Sequence, residues 1–495
     1  MKFRLVKIRT LFFLDSYFVS TDLKASVVSG VKWLAFSKTV IQLFRWASTF
    51  WVIRLLTADD YGVMAIAEIM AALLVSVNYL CIGNAIIRFK AISKSILNTL
   101  FTFCLVIGFL LFIIQFFSAS YFAKFYTTPE AELVLQVIAV AYLIECFNVK
   151  PMALLAKELK FKQLAKIDLI VGLLMPIAVL TCAYMGMGYW ALAVGHIVNA
   201  VMKTIVANYM KPTPLSLGFR FKRTLPMMKF GAQNAASSII SQINSSLDFI
   251  IGGYYLSTSQ IGIYQVGLQV SFIPLRKVSP ELRRISFPAF SKVSANRIKV
   301  IEYYLKSNRL ISLVIFPVFW GLGFIAEPLI SVLLTEKWIE SAIVIQILCF
   351  ILPFKLLSEM SGSMLNALGR ADILLVNTIF TTVIFLASIF ILLDEGISGL
   401  AYAWVISILV SYLALLIRIA RVLPITIVEI VMSYKASFLG SSVMIFCLYV
   451  VSKFVSENSL FSLLSYIAVG FTIYVSYVLL FHKKMLKELK RLIKG

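Results

Sequence analysis

The chain has 495 residues, 61% of them hydrophobic and only 14% charged. A soluble domain is nearer half apolar and a quarter charged, which excludes water as the solvent for most of this surface and leaves no room for a separate soluble domain. The net charge of +23 raises nucleic acid as a partner, and its distribution along the chain excludes that reading below.

Apolar runs long enough to cross a hydrocarbon core of about 30 Å recur from end to end. They predict an all-α polytopic membrane protein of about fourteen transmembrane helices. The spans fall at 27–54, 62–87, 98–123, 133–155, 164–185, 189–210, 228–253, 260–286, 309–333, 341–366, 373–393, 397–417, 436–456 and 460–481. Residues 1–26 read as a cytoplasmic N-terminal segment. Basic residues occur there without a short apolar region and small-residue cleavage site, so the first apolar helix is expected to be retained. Spans 1–6 make an N-lobe over 27–210 and spans 7–12 a C-lobe over 228–417. Spans 13 and 14 lie within 418–482, and 483–495 form a basic cytoplasmic tail. The inter-lobe linker, 211–227, carries prolines and basic residues and reads as a cytoplasmic connector along the lipid surface.

With both termini inside, and residues at span ends counted with the adjoining connection, inward segments carry 34 of the 46 Lys and Arg. Outward connections carry only Lys124, Lys337 and Lys453, and the rest lie within spans. This is the positive-inside rule, and it requires an even number of spans. The basic loops are short, abut spans and lack interleaved aromatics. Attraction to anionic lipid headgroups, about 1 kcal/mol per residue, accounts for them, so no nucleic acid is expected.

The chain repeats itself. LLTADDYGV (Leu55 to Val63) matches YLSTSQIGI (Tyr255 to Ile263) at an offset of 200, pairing Leu56 with Leu256, Thr57 with Ser257 and Gly62 with Gly262. An offset of 210 pairs Gln136 with Gln346, Gly186 with Gly396, Ala191 with Ala401 and Ala193 with Ala403. Repeats six spans apart keep their orientation, so the lobes are parallel repeats, an architecture that places a substrate site between lobes near mid-membrane.

Charged and polar residues within spans are costly, about 2.5–3.5 kcal/mol for an ion at a helix centre, and call for a reason. Lys38, Gln42, Arg45 and Thr49 share one face of span 1. Span 7 carries Gln233, Ser237, Ser241, Asn244 and Asp248, and span 8 carries Gln265, Gln269 and Arg276. The economical arrangement turns these stripes toward a shared hydrated cavity. Lys38, Gln42, Arg45 and Arg276 would make it cationic and bind an anionic headgroup such as a pyrophosphate. The other polar residues would line it or couple an ion. An alternative makes some of these charges structural pairs, Asp248 with a span 1 cation among them. Glu145, Lys150, Glu327, Lys355 and Glu359 read as isolated or near span ends. The six cysteines all lie in apolar runs as packed thiols, and His196 and His482 stand alone, so neither a metal site nor a His-based catalytic centre is expected.

VKWLAFSK, VIRLLTADDYG, AIIRFK, LLAKELKFKQLAKIDL, FPAFSK, AEPLISVLLTEKW and LNALGRADILL follow one another from Val31 to Leu375. In that order they resemble the bacterial polysaccharide transporter family, in its lipopolysaccharide and exopolysaccharide repeat-unit flippase branch. The resemblance implies the two-lobed fold of the multidrug/oligosaccharidyl-lipid/polysaccharide exporter superfamily. It also implies transfer of undecaprenyl-pyrophosphate-linked oligosaccharide from the cytoplasmic to the periplasmic leaflet of the bacterial inner membrane, for O-antigen, capsule or exopolysaccharide synthesis. A polysaccharide polymerase and a chain-length regulator are further implied partners, and no cofactor is. Lys38 stands where many relatives have arginine, Arg54 fits the family's arginine before the first outer loop, and Asp248 and Arg284 match family positions, whereas Arg45 and Arg276 rest on the physical argument alone. No Walker A string occurs, so alternating access would draw on an ion gradient or on consumption of product. Two readings compete. A cation-coupled multidrug antiporter would want acidic stripes, and these are net cationic. A membrane glycosyltransferase or polysaccharide polymerase would want a sizeable extramembrane catalytic loop.

Overall fold

The structure, a computed structural model, describes residues 41–42, 44–88, 92–454 and 459–482. Lys38 lies outside the described residues. Among those described, the regular structure is helical, without strands. Among the described residues, nine helical segments, the pair over Ala371–Val422 counted as one, are long and apolar enough to cross a bilayer. Large apolar side chains such as Phe117, Ile391 and Phe471 are exposed along them, as helices bathed in lipid require. The chain is a multi-pass membrane protein.

It divides into two compact units, one holding described residues up to 56 and 66–246, the other 57–65 and 247–482. The first contains α1 (helical up to 55), most of α2 (Ala58–Arg88), α3 (Lys94–Phe125), α4 (Glu130–Lys157), α5 (Phe161–Tyr184), α6 (Tyr189–Met210) and α7 (Phe221–Ser245). Helix α3 lies along α4, and both α4 and α5 pack on α6. Their core gathers Ile86, Leu100, Cys104, Cys146, Val149 and Ala235, so these two cysteines are indeed packed thiols. Buried Gln115 donates to the Leu135 carbonyl at 2.7 Å and lies 2.6 Å from the Tyr142 hydroxyl. A polar side chain so buried is tolerated because its partners are met.

The connector from Lys211 to Arg220 is hydrogen-bonded to α3 and α4. Buried Lys150 donates to the Pro214 carbonyl at 2.8 Å and to Asn98 Oδ1 at 3.1 Å. The Gly218 and Arg220 amides donate to the hydroxyls of Thr102 and Thr99. A Cβ on Gly218 would stand 2.6 Å from the Thr99 amide nitrogen, so only glycine permits this approach. Helix α7 then starts at Phe221, inside the segment read as linker.

The second unit contains α8 (Leu247–Tyr255), α9 (Thr258–Ser271), α10 (Ile273–Val293), α11 (Arg297–Phe324), α12 (Ala326–Leu333), α13 (Ser341–Ala367), α14 (Ala371–Leu392), α15 (Gly396–Val422), α16 (Ile427–Ser452) and α17 (Leu460–Phe481). Helix α13, the most buried candidate span, packs against α9, α10, α11 and α15. The appended pair α16–α17 docks on α11 through Leu313, Met444, Leu448, Leu463 and Tyr474.

Predicted spans and helices agree closely at most ends, and span 6 coincides with α6. Three spans are interrupted. Span 7 breaks at Ser246, where Ser245 donates back to the Ser241 carbonyl and Gln242 to the Ser246 hydroxyl, local bonds that compete with the helical ladder. Span 8 breaks at Phe272, because Pro274 has no N–H to return to the preceding turn. Span 9 breaks at Ile325, ahead of Pro328 in the first turn of α12.

The repeated motifs have a shared physical form. Thr57 and Asp60 exchange hydrogen bonds at the start of α2, and Ser257 and Gln260 do the same at the start of α9. Each closes orphan amides of a first turn in the manner of a capping box. Ala191, Ala193, Ala401 and Ala403 are all fully buried. Backbone angles pair Gly396 (φ 64°, ψ −135°) with Gly188 (φ 56°, ψ −137°), two residues along from the glycine that the sequence match selects.

Candidate functional site

Each unit holds, among several polar contacts within its spans, a network built on buried or half-buried ionisable groups. In the second, Asp248 sits in the first turn of α8 and is fully buried. Its Oδ2 accepts from the Tyr264 hydroxyl at 2.7 Å and from Trp404 Nε1 at 3.0 Å, and its Oδ1 from the Phe249 amide at 3.0 Å. Among the described residues its partners are thus neutral donors. The Lys355 ammonium lies 5.0 Å from the centre of the Trp404 ring, within reach of its negative face. One turn along α13, Glu359 accepts from Ser279 and lies 3.6 Å from Arg283 Nε, both on α10. Lys355 and Glu359, read from sequence as isolated or near span ends, continue a polar path from Asp248 to α10.

The sequence-predicted stripe residues are placed as follows. Gln42 is half-buried and Arg45 exposed on α1, and among the described residues Arg45 has no ion-pair partner. On α7, Gln233 and Ser241 are exposed and Asn244 is half-buried, while the side chain of Ser237 lies outside the described residues. Asp248 belongs to a different helix from those four and to the second unit. Gln265 and Gln269 are half-buried on α9. Arg276 is exposed beyond the break at Phe272, on α10. Arg54 lies 5.7 Å from the Trp51 ring, and Arg284 makes a 3.8 Å surface pair with Glu281.

The first unit holds a network that the sequence reading missed. His196 does not stand alone: its Nε2 lies 3.5 Å from Glu68 Oε1. Nor is Glu145 isolated, since Lys203 and His196 both act on its carboxylate electrostatically. The only signal available in sequence was that ionisable groups at membrane depth ask for a partner. Among the described residues no group of three His, Cys, Asp or Glu is placed to hold a metal ion.

Outside the spans the electrostatics are ordinary. Hydrogen bonds from Lys160 and Lys211 hold the Glu158 carboxyl below its usual range. Burial draws the Lys337 ammonium down, against the attraction of Asp60.

Residues 52–343 match the family model described as polysaccharide biosynthesis protein. The chain belongs to that family. It is 25% identical over 376 residues to the lipopolysaccharide biosynthesis protein WzxC of Escherichia coli (strain K12), covering 75% of this chain and 76% of that one. Its fold is that of the lipid II flippase MurJ in an inward closed conformation, with a TM-score of 0.73, 14% identity and coverage of 92% and 99%. An inward-facing MATE transporter of the MOP superfamily superposes at a TM-score of 0.59, with 14% identity over 79% of this chain and 98% of that one. The superfamily fold implied by the resemblance is thereby established for this member of the polysaccharide biosynthesis family.

Proposed function

We propose that this polysaccharide biosynthesis family member is a flippase. It carries undecaprenyl-pyrophosphate-linked oligosaccharide repeat units from the cytoplasmic to the periplasmic leaflet of a bacterial inner membrane by alternating access. It is a transporter and not an enzyme. The observation that carries the reading is the coincidence of a polysaccharide biosynthesis family match with a fold shared over 92% of the chain with a lipid flippase. The cationic residues of α1 and α10 support a pyrophosphate-bearing substrate over a cationic drug, because a guanidinium grips a phosphate with paired hydrogen bonds. Arg45 and Arg276, unpaired among the described residues, are free to do so. In this reading Lys38, Gln42 and Arg45 on the first unit and Arg276 on the second are each headgroup-binding residues, and Asp248 and the polar residues of α7 and α9 serve the substrate path or ion coupling. Both termini are cytoplasmic, on the charge asymmetry.

Deleting the protein in its host tests the reading. The lipid-linked oligosaccharide should accumulate on the cytoplasmic leaflet and surface polysaccharide should be lost, with sugar assembly intact. Continued export at the wild-type rate would overturn it.

A further inference from the structure

Glu68, His196, Glu145 and Lys203 come from three helices, α2, α4 and α6, of the first unit. His196 and Lys203 are seven residues apart and so share one face of α6, about 10 Å apart along its axis. Each faces a carboxylate from a neighbouring helix. Glu68 lies 3.5 Å from His196, and Glu145 feels both His196 and Lys203. The result is a ladder of two rungs with the imidazole common to both. Two further titratable groups stand nearby: Tyr142, one turn from Glu145 on α4 and coupled to it, and Asp168 on α5. Asp168 is seven residues from the start of α5 and Lys203 seven from the end of the antiparallel α6, which puts them at the same depth.

The charge balance of the ladder is informative. Two carboxylates and one ammonium leave a negative charge in the membrane unless His196 or one carboxyl holds a proton. Counted without Asp168, these four groups are neutral with one proton bound, and a neutral set is the one a low-dielectric site favours. The His196 and Glu68 side chains are 39% and 41% exposed, and ionisable groups in a span face a water-filled path in preference to lipid, which would give that proton a way in. Imidazole can accept on one ring nitrogen and donate from the other.

We propose that these four residues form a proton-binding and proton-passing site that couples the movement of lobes to a proton gradient. A proton on the Glu68 carboxyl transfers to His196 Nε2, and the imidazolium releases its other N–H proton toward the Glu145 carboxylate. Only O–H and N–H bonds change, and the charge on Lys203 steadies Glu145 between arrivals. The site supplies the energy source that the flippase reading leaves open, and it rests on that reading.

The full-length protein, reconstituted in one orientation into liposomes with an NBD-labelled undecaprenyl-pyrophosphate oligosaccharide, provides the test. Dithionite quenching reads the leaflet distribution. A one-unit pH gradient should bias the distribution about tenfold per coupled proton, and a protonophore should abolish the bias. Glu68→Gln, Glu145→Gln and His196→Gln should still equilibrate the lipid between leaflets, without bias. Unbiased equilibration by the wild type, or an unchanged bias in all three variants, would overturn the proton site and leave the flippase reading standing. Failure of the wild type to move the lipid at all would overturn the flippase reading instead. In that event histidine-selective NMR decides the site separately, because the chain has two histidines and His482→Gln leaves only His196. Its titration should be displaced by both Glu68→Gln and Glu145→Gln. A curve indifferent to both carboxylates would refute the ladder.

Discussion

Gly62 and Gly262 each fit against the other motif's helix start: a Cβ on Gly62 would stand 1.9 Å from the Thr258 carbonyl oxygen, and one on Gly262 1.9 Å from that of Ala58. The repeated sequences therefore meet each other, and the glycine common to both is the residue that lets two backbones touch. Gly62→Ala or Gly262→Ala must push the helix starts apart, because the obstacle is backbone and cannot rotate away. Each should cost about 3 kcal/mol or more, at the upper end of overpacking, read as a lowered Tm in detergent. The double variant should cost less than the sum, since one displacement relieves both clashes.

Arg45→Ala should abolish transport while abundance and Tm stay near wild type, because Arg45 is exposed and orphans no counter-charge. In the proposed site Lys38→Ala should abolish transport as well. Removing one charged hydrogen-bonding group should weaken headgroup binding by about 1.5–3 kcal/mol. Arg45→Lys should retain part of the activity, without the bidentate grip. Full export by a stable Lys38→Ala, Arg45→Ala double variant would eliminate this site.

Asp248 distinguishes polarity from charge. Asp248→Leu strands the Tyr264 hydroxyl and the Trp404 indole N–H in a buried place, at about 1–3 kcal/mol for each donor. Asp248→Asn keeps an acceptor oxygen for them and should hold most of the Tm. Equal losses in the two variants would mean that the carboxylate charge, not its hydrogen bonding, supports the fold.

Glu158 sets a small pH dependence. Its folded-state carboxyl is held below the usual value by Lys160 and Lys211, so the stability it contributes is present above pH 4.5 and is lost as pH falls through the lower folded value. All three side chains are partly exposed, which limits the contribution to about 1 kcal/mol or less. The Tm difference between wild type and Glu158→Gln should therefore be small at pH 7 and vanish in acid. A difference that grows on acidification would contradict the assigned sign.

Single cysteines placed in a cysteine-free background test the topology. Ser93, Lys160 and Arg297 should be shielded from a membrane-impermeant reagent added outside, and Asp60, Pro129 and Glu336 should react. Labelling at Lys160 without labelling at Asp60 would invert the orientation.

Span positions were legible because apolar length and flanking charge are local properties; Tyr189 to Met210 was read to the residue. The breaks were less legible. Pro274 and Pro328 announce two of them, but the one at Ser246 depends on side-chain bonds among serines and Gln242, and it separates Asp248 from the stripe that ends at it in sequence. Partners were illegible wherever helices bring together residues distant in sequence. Glu68 and His196 are 128 residues apart, as are Ser48 and Pro176, joined at 3.3 Å. No periodicity reports such pairs, so a histidine with a carboxylate neighbour read as a histidine alone.

The groups that bond the connector, at Thr99, Thr102 and Lys150, all precede it in the chain, as does Asn98, which holds Lys150. Docking of residues 211–220 thus needs nothing that the ribosome has yet to make. During biogenesis the first helices can seat this strap before α8 emerges, and insertion of the later helices then starts from a tethered end instead of a drifting one.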